Sequence, residues 1–237
     1  IVRSLGNTDI ELSSDNDTIV LKTEKSKFSL QQLPSNEFPL FDSTEGDQTF
    51  SIKQQDLSEI FNKTQFAMAQ QDVRFYLNGL LLEINSESLE VVGTDGHRLA
   101  KTSTPLDKKS ISEQSCIVPR KAIQELTRSL SDSKDCRVSL VDNQASFSFS
   151  HVTLTTKLID GTFPDYNRVI PAETTTNILL DTKIIKPALQ RVSILANEKF
   201  RGVRIDIDNN KIKISAENPE QEQAEDIIEV DYSGDEL

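Results

Sequence analysis

Phe50-Ser51-Ile52-Lys53-Gln54-Gln55-Asp56-Leu57-Ser58-Glu59-Ile60-Phe61 opens a passage whose order of elements returns later in the chain. The apolar strand Phe50-Ser51-Ile52 leads into a helical stretch from Leu57 to Ala69, then to Arg74 and a pair of strands. The second passage begins with strand Asn177-Ile178-Leu179-Leu180. It continues through a helical stretch from Lys186 to Leu195 to Arg201-Gly202 and another strand pair. The offset is about 128 positions, much longer than a solenoid repeat and close to the size of a domain. A second similarity has nearly the same offset. Leu33 is followed five residues on by Phe38-Pro39, and Leu158 five residues on by Phe163-Pro164, each after an alternating strand pair.

The head of the unit thus occurs twice and its tail twice. The chain is expected to hold the tail of one unit (1–47), the whole of a second (48–175) and the head of a third (176–237). With Ile1 in place of an initiator Met, and an end inside the third unit, it reads as a fragment.

Most of the chain alternates with period two. Ile10 and Leu12 against Ile19 and Leu21, Val138 and Leu140 against Phe147 and Phe149, and Val203, Ile205 and Ile207 against Ile212 and Ile214 read as hairpins with one buried face. Helices are fewer. Leu57, Ile60, Phe61, Thr64 and Met68 make one apolar stripe, with Gln55-Asp56 as a cap. Pro119 opens a second helix at a first-turn position, with Ile123, Leu126 and Leu130 on one side. A third carries Ile185, Ala188, Leu189, Val192 and Leu195. Pro187 removes a backbone bond there, so that helix either starts near Lys186 or bends. The fold class is α+β: tandem domains, each an antiparallel sheet covered on one face by two helices. Exposed edges let such sheets join across domain boundaries, and repetition with symmetry closes a ring with helices inside.

The apolar share of 36% suits a globular protein, and no window is long and apolar enough for a membrane span. Two cysteines, Cys116 and Cys136, read as free thiols of a reducing compartment. The net charge of −12 argues against a DNA binder coated in basic residues. The charge is uneven, however. Acids dominate from Ile205 onward, whereas Lys63, Arg120, Lys121, Arg128, Lys183, Lys186 and Arg191 lie on the helical stretches. A local positive field, not the total, decides whether a polyanion is tolerated nearby.

Thr94-Asp95-Gly96-His97-Arg98-Leu99 is the most distinctive segment. Asp95-Gly96 is a turn between strands, loaded with polar side chains. One reading is a hairpin whose His97 and Arg98 make local hydrogen bonds. Another is a hydrolase site using Asp95, His97 and Arg98, with or without a metal. His151, the other histidine, falls in a different hairpin. No clustered metal ligands, glycine-rich phosphate loop or nucleophile elbow is present, so neither metal nor cofactor is expected. A third reading is an adhesive tandem-β protein, which basic helices disfavour.

Several motifs occur together and in order: Gln71-Asp72-Val73-Arg74-Phe75-Tyr76-Leu77-Asn78-Gly79, Thr94 to Leu99, Val118-Pro119-Arg120-Lys121, Phe163-Pro164-Asp165-Tyr166, Asn197 to Arg204, Asn218-Pro219-Glu220-Gln221-Glu222 and Tyr232-Ser233-Gly234. Over nearly the whole length the chain resembles the bacterial DNA polymerase III beta subunit, the sliding clamp. The resemblance implies a non-catalytic, cytoplasmic processivity factor: a head-to-tail homodimer of three-domain subunits closed around double-stranded DNA, sheets outside and helices within. It would tether the polymerase catalytic subunit, the clamp loader, other polymerases and repair proteins through a short apolar-aromatic peptide.

Three sets of residues follow from the resemblance. Leu77, Thr94, Gly96, His97, Arg98, Leu99, Pro164, Arg168 and Val169 match a partner-peptide groove between the second and third domains. Gln70, Gln71, Arg74, Phe75 and Lys121 match DNA contacts. Lys25, Lys27, Phe28 and Leu30, opposite Ile194, Leu195, Phe200, Glu220, Glu222 and Glu225, match the dimer interface.

Overall fold

Alternating apolar residues can be buried on one side only if the strands they form find partners, and here they pair mostly with strands nearby in sequence. The computed structural model describes residues 1–15, 17–38, 48–106, 112–132, 134–174, 176–197, 202–208, 210–232 and 234. The chain divides into two compact units, Ile1–Pro164 and Asp165–Leu237.

The first unit begins with a three-stranded antiparallel meander of β1 (Glu11–Asp15), β2 (Thr18–Lys22) and β3 (Lys27–Gln31), with β2 in the middle. The alternation places the first turn at Ser13 to Asp17, but Asp15 pairs with Thr18, and Ser13 and Ser14 belong to β1. Leu21 is buried, but every residue of β1 is exposed.

The central part runs β4 (Gln48–Lys53), α1 (Gln54–Thr64), β5 (Gly79–Ile84), β6 (Ser88–Thr94), β7 (Leu99–Pro105), β8 (Gln114–Pro119), α2 (Arg120–Ser129), β9 (Asp135–Val141), β10 (Gln144–Phe149) and β11 (Val152–Lys157). These strands form two four-stranded antiparallel sheets, β7-β6-β5-β8 and β11-β10-β9-β4, where the pattern suggested one. Each half repeats strand, helix and three-stranded meander, and each lends its first strand to the other half. Thus β4 pairs with β9, Phe50 opposite Val138, and β8 pairs with β5, Val118 opposite Leu80. The exchange makes the halves interdependent. One apolar core takes Phe50, Leu57, Phe61, Leu82, Ile123, Leu126 and Phe147 from both sheets and both helices.

Helix α1 buries Leu57, Ile60, Phe61 and Thr64, the predicted stripe. Its start differs. Lys53 is the N-cap, and the Gln54 N–H, one of the donors a helix start leaves unpaired, reaches the Lys134 carbonyl at 3.0 Å. The backbone just ahead of β9 thus replaces the Gln55-Asp56 cap. Pro119 likewise is not in the first turn. It ends β8 and caps α2, with φ −60° and ψ 145°.

In the second unit, α3 (Thr182–Val192) packs on the meander β12 (Arg204–Asp208), β13 (Lys211–Glu217) and β14 (Gln223–Glu229). Ala188, Val192, Ile212, Ile214, Ala216 and Ile228 form the core of this unit. The helix starts four residues before Lys186, because Asp181 caps it by accepting from the Lys183 N–H at 2.8 Å. Pro187 therefore lies inside α3. The predicted strand 177–180 is irregular. Its counterpart β4 is held by β9, and no strand among the described residues of the second unit pairs with 177–180.

Candidate partner and nucleic-acid sites

Gly96 follows Asp95 at φ +87°, a conformation that side-chain-bearing residues rarely adopt, and this turns β6 into β7. The Asp95 carboxylate accepts from the backbone N–H groups of His97 and Arg98, both at 3.0 Å, and from Arg98 Nε at 3.2 Å. Thr94 closes the turn from below. Its hydroxyl donates to the Arg98 carbonyl at 2.7 Å and accepts from the Gly96 N–H at 3.0 Å. Burial alone would raise the Asp95 carboxyl, but the two amides and the Arg98 guanidinium outweigh it and the group stays below its usual range. With its carboxylate bound to amides and a guanidinium, Asp95 is not placed to orient a histidine base. The His97 imidazole makes no hydrogen bond among the described residues, and no group of three metal-ligating side chains occurs among them. This arrangement is the local hydrogen-bonding alternative, not the hydrolase one.

Opposite this turn stands the loop from Gln70 to Asn78. The Asn78 amide brackets Asp72, accepting from its N–H at 3.0 Å and donating to its carbonyl at 2.9 Å. The Ala69 N–H donates to the Leu77 carbonyl at 3.0 Å, closing the loop at its neck. Arg74 folds back on Asp72. Its N–H and Nε reach Oδ1 at 2.8 and 3.0 Å, and Nη2 reaches Oδ2 at 2.8 Å. Hydrogen bonds from the Arg74 side chain, then from its backbone, bring the Asp72 carboxyl down to about 2, and Asp72 raises Arg74 in return. Nη2 also reaches the Asp95 carbonyl at 3.3 Å.

The two predicted sites therefore meet. Gln70 and Arg74, expected at DNA, line a cleft of about 300 Å3 with His97 and Arg98, expected at a partner peptide. Phe66, under the Arg98 guanidinium at 5.7 Å, and Arg120 complete it. Arg120 donates through Nη1 to the carbonyls of Met68 and Ala69 at 3.1 and 3.2 Å, fixing the neck of the loop. Phe66, Asp72, Asn78 and Arg120 were not among the predicted site residues, although the two-residue spacing of Asp72 and Arg74 was visible.

The remaining residues are placed as follows. Gln71 and Phe75 are exposed on the loop and Lys121 on α2, whereas Leu77 is only 1% exposed and Leu99 partly buried. Pro164 is exposed. In the second unit Val169 is exposed, and Arg168 pairs with Asp165 at 2.8 Å. Of the interface set, Lys27, Phe28 and Leu30 lie on the edge strand β3, and Lys25 in the turn before it. Ile194 and Leu195 form a single turn after α3. Glu225 pairs with Lys213 at 2.5 Å and Glu222 accepts from the Asn218 amide at 2.7 Å, while Glu220 is exposed. Phe200 lies outside the described residues. The helices are also less basic than the sequence suggested. Lys63 pairs with Glu59, Arg128 with Glu125 and Arg191 with Asp226. Lys121, Lys183 and Lys186 make no ion pair among the described residues. No helix among them is long and apolar enough to cross a membrane.

Tandem antiparallel meanders accompanied by helices, with the Asp95-Gly96 turn and the Arg74 loop sharing one cleft, make this a modular protein of repeated β-and-helix units. Residues 51–165 match the DNA polymerase III beta subunit central domain, and residues 167–237 match its C-terminal domain. The chain belongs to the DNA polymerase III beta subunit family. It is 42% identical to the beta sliding clamp of Proteus mirabilis, over 97% of this chain and 63% of that protein. It is 43% identical to that of Pseudomonas aeruginosa, over 96% of this chain and 62% of that protein. A crystal structure of the DNA polymerase III subunit beta from Pseudomonas aeruginosa superposes with a TM-score of 0.88 at 41% identity, covering 99% of this chain and 65% of that one. A sliding clamp from the same organism, bound to griselimycin, gives a TM-score of 0.87. The chain spans somewhat under two thirds of the length of these relatives.

Proposed function

We propose that this chain acts as part of a bacterial sliding clamp, the non-catalytic processivity factor of the replicative DNA polymerase. Residues 1–47, 48–175 and 176–237 would be the end of a first clamp domain, a complete second domain and the start of a third. The whole protein would be a cytoplasmic homodimer that encircles duplex DNA without reading its sequence. It would tether the polymerase catalytic subunit, the clamp loader and repair proteins through a short apolar-aromatic peptide.

The observation that carries this reading is the recurrence of a helix packed on a three-stranded meander. It occurs twice in the central part and once in the second unit, in a chain whose clamp relatives match nearly all of it. A ring of repeated modules holds DNA by topology, so its contacts can be weak and exchangeable. The peptide role falls to Thr94, Gly96, His97, Arg98, Leu99, Pro164, Arg168 and Val169, with Leu77 supporting from the core. The DNA role falls to Gln70, Gln71, Arg74, Phe75 and Lys121. The dimer role falls to Lys25, Lys27, Phe28 and Leu30 with Ile194, Leu195, Phe200, Glu220, Glu222 and Glu225. The test is retention of the whole protein on nicked circular DNA after treatment with the clamp loader. Linearising the circle should release it, and equal retention on open-ended DNA overturns the proposal.

A further inference from the structure

Asp72, Arg74, Asp95 and Arg98 form a chain of alternating charge between the loop assigned to DNA and the turn assigned to partners. We propose that Asp72 is a positioning residue for partner-peptide capture: by gripping Arg74 it steadies the Asp95–Arg98 turn and presents the free guanidinium nitrogen beside Gly96. The inference rests on the assignment of that turn to partner binding.

Two observations and one physical argument carry it. First, Arg74 uses Nε and Nη2 on Asp72 and the Asp95 carbonyl, while Nη1 has no acceptor among the described residues. That nitrogen lies 3.1 Å from where a Cβ on Gly96 would stand, so the missing side chain leaves it room at the turn. Second, Asp72 is itself held, because the Asn78 amide brackets its backbone on both sides. Third, an exposed arginine without its carboxylate regains its rotamers, and the hydrogen bond to the Asp95 carbonyl is then no longer enforced.

The same carboxylate has the opposite effect on DNA. It neutralises Arg74 on the loop that would meet phosphates, so Asp72 favours the peptide and opposes the polyanion. A residue that merely kept the loop folded would favour both.

The experiment uses the whole protein with Asp72→Asn, Asp72→Glu and His97→Ala, a peptide carrying a short apolar-aromatic motif, and a short duplex. Asp72→Asn is expected to weaken the peptide about tenfold, the scale of one lost charge-assisted contact, and to leave duplex binding unchanged or tighter. Asp72→Glu should restore most of the peptide affinity. Unchanged peptide binding in Asp72→Asn, a loss of peptide and duplex together, or a loss that Asp72→Glu does not relieve overturns the inference. His97→Ala separates the two layers. If it weakens the peptide while Asp72→Asn does not, only the positioning role fails; if neither weakens it, the assignment of the turn fails as well.

Discussion

A Cβ on Gly93 would stand 2.7 Å from the carbonyl oxygen of Thr64 and 2.8 Å from Leu80 Cδ2. An inner strand of one sheet, β6, and the last residue of α1 touch because no side chain intervenes. Thr64 cannot easily retreat. It is fully buried, and its hydroxyl donates to the Ile60 carbonyl at 2.8 Å. Gly93→Ala therefore presses a methyl group against the α1 backbone, and overpacking of this kind costs about 1–3 kcal/mol. The urea midpoint should fall with an unchanged slope. Gly202→Ala, which would meet nothing within 4 Å, is the control and should stay near the parent.

Acid should find Asp72 late. Arg74 holds its carboxyl at about 2 against the ordinary 3.8. A carboxylate lowered in the folded state stabilises fully above the unfolded value, and that contribution disappears as pH falls through the folded value. The window is thus from 3.8 down to about 2. In a carboxyl-carbon NMR titration the Asp72 resonance should move with a midpoint near 2, and Arg74→Ala should bring it back toward 3.8. A parent midpoint near 3.8 would show that the ion pair does not persist in solution.

What the sequence discloses follows the range of the interaction. β9 and β10 could be read directly, because Val138, Leu140, Phe147 and Phe149 alternate into one core and pair across a short turn. The two-sheet arrangement could not, since it depends on β4 finding β9 and β8 finding β5. Neither pairing leaves a periodic trace. Both helix-start differences have the same origin: the Gln54 donor is satisfied by the Lys134 carbonyl and the Arg120 donor by the Asn78 carbonyl, partners remote in sequence. At the site, the Asp95-Gly96 turn announces itself through local chemistry. The bonds from Arg74 to Asp95 and from Arg120 to Met68 span tens of positions, and so the meeting of two predicted sites in one cleft was hidden. The basic helices misled for the opposite reason. Carboxylates such as Glu59 and Glu125, one turn away, cancel charges that look free when only the cations are counted.

The thiols offer a test of the central core. Burial pushes both Cys116 and Cys136 up to about 12, far from the range in which a thiolate forms at neutral pH. They lie in the apolar cluster that joins the two halves. In the folded protein at pH 8 neither should react with a thiol reagent on a timescale of minutes, and both should react together once denaturant opens the core. Rapid labelling of Cys136 alone would show that β9 separates from β4 without global unfolding.

Lys121 tests the reading of the helices as a lining for DNA. It stands exposed in the first turn of α2 without an ion pair among the described residues, next to Arg120, whose guanidinium is committed to the loop carbonyls. Each phosphate contact releases condensed counterions, so log K falls with log salt by about 0.9 per contact. For the whole protein on a short duplex, Lys121→Ala should weaken binding at low salt and reduce that slope by about one contact, whatever the DNA sequence. Lys63→Ala should do less, because Glu59 already occupies its ammonium at 2.5 Å. Equal slopes for the parent and Lys121→Ala would remove α2 from the DNA-facing surface and leave the loop at Gln70 to Arg74 as the remaining contact in the central part.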